Sequence, residues 1–249
     1  MTTREFNERL GRRARRAGLQ VGPELARLLE QYVRLLALWN ERINLTGLPV
    51  REPSDETVDR LIIEPLAAAR HLPPGTASVI DIGTGGGSPA IPMKLAVPAL
   101  RMRMVESKTR KSAFLQEAIR HLGLQDTVVE TARYQELLTR PDLHEAHDVL
   151  TVRAVRVEMR VLVTLQAFVS PGGRLFLFRG PSETDGASGL TPPLVWEGAY
   201  PIGDLFSGRL VVLRKTPVGS AVAVSAVSVP PAQAPSRSGP ASRRKQSRP

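Results

Sequence analysis

The chemistry of this chain is concentrated between Ser78 and Leu115. A short apolar run ends in Asp81 and meets the glycine loop Gly83-Thr84-Gly85-Gly86-Gly87. A helical stretch follows, and a second apolar run closes on Glu106. Glycine lets a backbone approach a ligand closely and take turns that a Cβ forbids. An acid at the end of the next strand can accept hydrogen bonds from two ribose hydroxyls. This pattern suits a nucleoside-bearing cofactor at the carboxyl edge of a parallel sheet.

The loop discriminates between two such cofactors. The dinucleotide fingerprint G-x-G-x-x-G requires glycine at 83, 85 and 88, and position 88 is Ser88. The alternative D-x-G-x-G-x-G, read as Asp81, Gly83, Gly85 and Gly87, looks like the first motif of the class I methyltransferases, which points to S-adenosylmethionine rather than NAD. A glycine-rich turn without a ligand is the bland alternative.

Elements must hold these residues. Apolar runs at 78–82, 101–106, 127–131, 148–152 and 174–179 alternate with helical stretches at 89–97, 109–122 and 157–168, the pattern of a parallel sheet. Pro171-Gly172-Gly173 reads as a turn into the fifth strand. Two closely spaced runs at 194–200 and 209–214 suggest an antiparallel finish. Upstream, Arg4–Arg16 reads as a basic first helix. Gly22-Pro23 opens a stronger helix, on which Leu25, Leu28, Leu29, Tyr32, Leu36 and Trp39 recur at core-facing steps. Asn40–Gly47 leaves it as a polar loop where Asn44 and Thr46 can bond locally. A further helix is expected over about 55–70, ended by Pro73-Pro74.

With 249 residues there is room for one large α/β domain with additions. No cysteine is present, which removes disulfides, thiolate metal ligands and a cysteine nucleophile. No apolar run is long enough to cross a membrane and no secretory segment opens the chain, so a cytoplasmic protein is expected. Of the net charge of +10, residues 1–18 hold +4 and residues 216–249 hold +5, leaving +1 between them. Basic arms favour a polyanion such as RNA, although solubility alone also explains a basic tail. Six prolines in residues 216–249 argue for disorder there. His144-Glu145-Ala146-His147 lacks a third ligand at a usable spacing, so no metal site is expected. His71 and His121, near helix ends, read as solvated. Lys108, Arg110 and Lys111 can meet RNA phosphate or form the wet face of a helix.

Seven segments carry a resemblance. They are YVRLLALWNERINLTG at 32–47, IDIGTGGGSPAIPM at 80–93, VESKTRKSAFLQE at 105–117, ARYQEL at 132–137, DVLTVRAV at 148–155, FRG at 178–180 and GRLVVLRK at 208–215. In order and spacing the chain resembles the RsmG (GidB) family over roughly residues 20–215. That family comprises bacterial methyltransferases acting on a guanine N7 of small-subunit ribosomal RNA. There are departures: Gly86 replaces a proline, Ser88 a large apolar residue, Ala90 a glycine and Glu106 an aspartate. The family's R-H-x-x-D-S reads Arg60-Leu61-Ile62-Ile63-Glu64-Pro65, and Arg179 replaces a lysine. Arg133, Arg153 and Arg209 are retained.

The resemblance implies a class I, Rossmann-like α/β fold: a helical region over 1–74, a seven-stranded methyltransferase domain over 75–215 and a disordered basic tail over 216–249. It also implies S-adenosylmethionine as cofactor. Gly83, Gly85, Gly87, Ser88, Glu106, Tyr134, Gln135 and Arg153 would bind it, while Arg133, Arg153 and Arg209 would act on the substrate, with Arg179 a further candidate. Any of these arginines can also be an ordinary surface group. The implied partner is small-subunit ribosomal RNA or an assembling subunit; oligomeric state stays open, with a monomer favoured.

Guanine N7 fits what the sequence lacks. N7 has a lone pair and no proton, so its methylation needs no general base, nucleophile or metal. Thr151-Val152-Arg153-Ala154 is not the N/D-P-P-Y/F that grips an exocyclic amine, and only five lysines are present, which disfavours lysine-based ribose sites. A non-catalytic RNA-binding or ribosome-assembly factor on the same fold is the alternative of a different class. An NAD-dependent oxidoreductase is a third, weakened by Ser88.

Overall fold

The computed structural model describes residues 1–153, 158–180, 190–202 and 208–217. The expected tail from residue 218 onward, the position of Ala154 and the start of the expected helix at 157 lie outside the described residues. The described residues belong to one compact unit.

Seven strands form one sheet: β1 (Ser78–Ile82), β2 (Arg101–Val105), β3 (Thr127–Glu130), β4 (His147–Arg153), β5 (Val169–Arg179), β6 (Leu194–Pro201) and β7 (Arg209–Lys215). Their order is β3-β2-β1-β4-β5-β7-β6. The first five are parallel, and β7 pairs antiparallel with both β5 and β6, as the close spacing of the last two runs predicts. β5 begins earlier than expected. The Pro171-Gly172-Gly173 turn is a break in its register with β4, which jumps from His147↔Val169 to Val149↔Arg174.

β1 is buried along its whole length, so it reads as an unbroken apolar run instead of an alternation. Its side chains divide between two cores. Val79 joins the layer made by the N-terminal helices, whereas Ile80 and Ile82 join the layer on the other face. The order reverses between β1 and β4, which opens a crevice at the carboxyl ends of the central strands.

α1 (Thr3–Arg16) buries Phe6, Leu10 and Ala14, and α2 (Pro23–Asn40) buries Leu29, Tyr32 and Leu36. Trp39 is half-buried, edge-on to Phe114 at 6.0 Å between centroids. Asn40, not Asn44, organises the loop after α2. Its Oδ1 accepts from the Leu45 and Thr46 amides at 2.8 and 3.0 Å, and its Nδ2 donates to the Thr46 carbonyl at 3.1 Å. Thr46 Oγ1 accepts locally from the Leu48 amide, as expected. His71 is half-buried and stacks on Tyr200 at 4.2 Å instead of standing free in solvent.

The helix expected over 55–70 has three parts: α3 (Asp55–Val58), a π-helical turn (Asp59–Ile63) and α4 (Glu64–Ala69). Pro65 explains the wide turn. A proline inside a regular helix clashes with the carbonyl four residues back and removes a donor. Here the Glu64 amide reaches back to the Asp59 carbonyl, which opens the helix by one residue. Such wide turns recur at functional sites. α5 (Ala90–Ala96), α6 (Thr109–Leu122), α7 (Tyr134–Leu137) and α8 (Met159–Leu165) complete the helices that bear on the site.

Candidate active site at the carboxyl edge of the sheet

The glycine loop is stapled to β2. The Gly83 and Thr84 amides donate to the Val105 carbonyl at 2.9 and 3.1 Å. Gly83 has φ 76° and no atom within 4 Å of the Cβ it lacks, so its backbone faces open space. Gly87 has φ 91° and serves a different purpose. A Cβ there would lie 2.5 Å from Ile91 Cδ1 and 3.3 Å from the Tyr32 ring. Gly87 is therefore a packing glycine behind the loop. Beneath it, the buried Tyr32 hydroxyl donates to the Gly86 carbonyl at 2.6 Å. Burial pushes the phenol well above its usual range and keeps it a neutral donor.

Two chambers meet at Gly83. One, of about 370 Å³, is walled by Ile82, Val105, Ala132, Val152 and Leu165. Glu106 supplies its carboxylate, and Arg133, Tyr134 and Gln135 stand at its rim. Arg133 is exposed and precedes α7, where its amide donates to Glu136 Oε2 at 3.2 Å. The Glu106 side chain is 7 % exposed. Its Oε2 accepts from the Gly85 amide at 3.0 Å and its Oε1 from the Lys108 amide at 2.8 Å. Each oxygen retains acceptor capacity toward the chamber.

The second chamber, of about 440 Å³, lies between the glycine loop, the loop after α2 and the wide turn. Leu36, Leu45 and Leu48 give it an apolar side, and Gly85 and Ser88 line its floor. Among the described residues, its charged groups are Arg60, Lys111 and Arg153, and no acid lines it. Arg153 is fixed from several directions. Its guanidinium pairs with Glu64, donates to the Arg60 carbonyl and to Ser88 Oγ (2.9 Å), and lies 4.8 Å over the Phe178 ring. Burial works against the Arg153 charge, and the buried Glu64 carboxylate offsets that cost, so the guanidinium stays protonated.

Asp81 lies under the loop, 1 % exposed. Its Oδ1 accepts from the Thr151 hydroxyl, and its Oδ2 has no hydrogen-bond partner. Burial raises its pKa to about 6, against the pull of the Thr151 and Thr84 hydroxyls, and the nearby Glu106 charge adds to the rise.

Of the residues expected at the site, Gly83, Gly85, Ser88, Glu106, Arg133, Tyr134, Gln135 and Arg153 line the two chambers. Gly87 and Arg209 line neither. Arg209 sits opposite Arg179 in the β5–β7 ladder. Sequence reasoning missed the active placement of Glu64, Arg60 and Tyr32. Tyr32 lay on a core-facing spacing, and its bond to the loop crosses 54 positions.

The GidB family model, described as rRNA small subunit methyltransferase G, matches residues 25–194. The chain belongs to the GidB family. Curated GidB proteins named ribosomal RNA small subunit methyltransferase G are similar to it. The one from Carboxydothermus hydrogenoformans is 34 % identical over 165 residues, 66 % of this chain and 68 % of its own length. The one from Moorella thermoacetica is 30 % identical over 211 residues, 80 % of this chain and 86 % of its own length. The one from Myxococcus xanthus is 31 % identical over 185 residues, 74 % and 83 % of the two chains. Among solved structures, a Klebsiella pneumoniae protein solved under the name of an O-methyltransferase superposes with TM-score 0.55 at 16 % identity, over 86 % of this chain and 99 % of that one. MtNAS, solved in complex with MTA and tNA, gives 0.50 at 17 % identity, over 78 % and 76 %. At those identities the likeness is one of fold, and it is the fold expected of a GidB member.

Proposed function

We propose that this GidB protein transfers the methyl group of S-adenosylmethionine to a guanine N7 of small-subunit ribosomal RNA, acting as a monomer in the cytoplasm. Family membership supplies the substrate class. The observation that carries the cofactor is the pair of chambers joined at Gly83, one apolar with the buried Glu106 carboxylate and the other lined by Arg60, Lys111 and Arg153. The residues fit the cofactor. An adenine can lie between Val105, Ala132 and Leu165, and the Glu106 oxygens can take the ribose hydroxyls. The bare backbone at Gly83 admits the thioether link between the two halves. When bound, the cofactor supplies an electrophilic methyl on a sulfonium.

The protein's own part is alignment. N7 attacks with a lone pair and loses no proton, so no side chain has to act as a base. Holding two reactants in line can lower a barrier by several kcal/mol, about 7–11 in the best cases. Leu36, Leu45 and Leu48 offer a flat apolar side against which a purine can rest while water is kept out. Arg153 cannot swing, because Glu64, Ser88 and the Arg60 carbonyl hold it. It therefore presents a fixed positive field to the chamber and leaves N7 free. Arg133, exposed at the rim of the other chamber, would meet RNA phosphate or base oxygen in this reading.

The test is to incubate the protein with labelled S-adenosylmethionine and small subunits, or their RNA, from a strain lacking this enzyme. The expected product is 7-methylguanosine at one position. RNA binding with no transfer and no cofactor binding would favour the non-catalytic assembly factor.

A further inference from the structure

Among the described residues, three cations and no acid line the second chamber, and of the three only Arg153 is committed. Arg153 is spoken for by Glu64. The Arg60 guanidinium and the Lys111 ammonium, both half-buried, have no acid or acceptor partner among the described residues. Arg60 also bears on Arg153 as a like charge, pulling its pKa down. Bringing like charges together in a partly dehydrated cleft is unfavourable unless an anion sits between them. The other acid at the loop cannot serve. Glu106 lines the first chamber and not the second, and the Gly85 and Lys108 amides hold its carboxylate there.

Two separate elements deliver these cations. Arg60 comes from the wide turn that Pro65 forces. The turn is anchored where Arg153 grips the Arg60 carbonyl, so the backbone that carries the Arg60 side chain is fixed. Lys111 comes from the first turn of α6, just beyond the acid-bearing end of β2. Between them runs the glycine loop.

We infer that Arg60 and Lys111 form an oxyanion subsite in the second chamber. Resting on the methyl-transfer reading, this assigns the subsite either to the carboxylate of the donor's amino-acid part or to an RNA phosphate beside the target base. The charge pattern of the two chambers then matches the two ends of the donor: a carboxylate where hydroxyls bind, and cations where a carboxylate binds. Arg153 is a positioning residue in this arrangement, holding the turn from which Arg60 projects.

The experiment compares calorimetric binding of S-adenosylhomocysteine and of 5′-methylthioadenosine, which lacks the amino-acid part, to wild type, Arg60→Ala, Lys111→Ala and the charge-keeping Lys111→Arg. If the carboxylate is the anion, each alanine variant weakens S-adenosylhomocysteine by about tenfold or more, the scale of a lost charge-assisted hydrogen bond. It leaves methylthioadenosine unchanged, and Lys111→Arg retains affinity. If a phosphate is the anion, both small ligands bind as in wild type. The KM for the RNA then rises, and the salt dependence of RNA binding becomes shallower by about one counterion per lost cation. Equal weakening of both small ligands, or no change in any of the three measurements, overturns the subsite. A wild-type protein that binds neither small ligand overturns the methyl-transfer reading instead.

Discussion

Glu106 does two jobs with one carboxylate. It accepts the Gly85 and Lys108 amides and so shapes the loop, and it faces the chamber where a ribose would lie. Glu106→Ala should therefore weaken S-adenosylhomocysteine and methylthioadenosine alike, by roughly 1–3 kcal/mol in calorimetry; unchanged affinity for both would remove Glu106 from the site. Asp81 makes a different prediction, one of pH. Its pKa is raised by burial to about 6 in the folded chain, while an exposed aspartate titrates near 3.9. Between those values the folded state holds a proton that the unfolded state has given up, so stability falls as pH rises through that window and is level above it. Across about two pKa units the loss is on the order of 3 kcal/mol. Asp81→Asn cannot ionise, so urea-unfolding free energies of wild type minus variant should decline between about pH 4 and 6; a difference independent of pH would refute the assignment. The two acids were legible because each closes an apolar run beside a glycine loop. Glu64 was not, because its pairing with Arg153 spans 89 positions and nothing local announces it.

The wide turn shows how one residue recasts an element. Pro65 has no N–H, so the Leu61 carbonyl, four residues back, and the Arg60 carbonyl, five back, lose their helical donor. Both are served from outside the helix: Ser88 Oγ donates to Leu61 at 3.0 Å, and Arg153 donates to Arg60. Ser88 and Pro65 are both departures from the family pattern, and this geometry joins them. Ser88 supplies the donor that Pro65 withdraws. Ser88→Ala should cost about 1 kcal/mol of stability. In a Pro65→Ala background the amide of residue 65 can serve the carbonyl instead, and the cost should shrink. A double-mutant cycle by urea unfolding should give a coupling of at least about 0.5 kcal/mol; strict additivity would separate the two residues. Strand runs and the helices over 109–122 and Pro23–Asn40 could be read from periodicity alone, because each buries one face or is wholly enclosed. The wide turn could not. A proline in a helical pattern signals a break, but whether the chain breaks, kinks or widens depends on donors arriving from β4 and the glycine loop.

At the scale of the molecule, the question is which cations remain to meet RNA. The sequence placed much of the basic charge in two arms, yet the first arm is a packed helix. Arg13 is 6 % exposed and bonds Asp59, while Arg9 and Arg12 pair with Asp55. The acids that offset part of this charge lie more than 40 residues away, which is why a count along the chain overstated it. Asp55 and Asp59 offset part of that arm's charge, so a field for RNA draws on other cations as well: Lys108 and Arg110 at the start of α6, Arg133 at the chamber rim, and the five cations of residues 218–249. The fold reaches as far as Thr216, whose amide and hydroxyl both donate to the Pro193 carbonyl, at 2.7 and 3.0 Å. A truncation that spares the fold therefore stops after Pro217. Comparing the full chain with residues 1–217, the melting temperature should change by less than about 2 °C, since no described contact is removed. Affinity for RNA should fall, and the slope of log K against log salt should become shallower by up to about 3–4, as expected for losing five phosphate contacts on single strands. Methylthioadenosine binding should not change, since the described residues that line the first chamber all precede residue 166. An unaltered salt slope would mean that the tail's charge does not touch the RNA and that recognition rests on cations of residues 1–217.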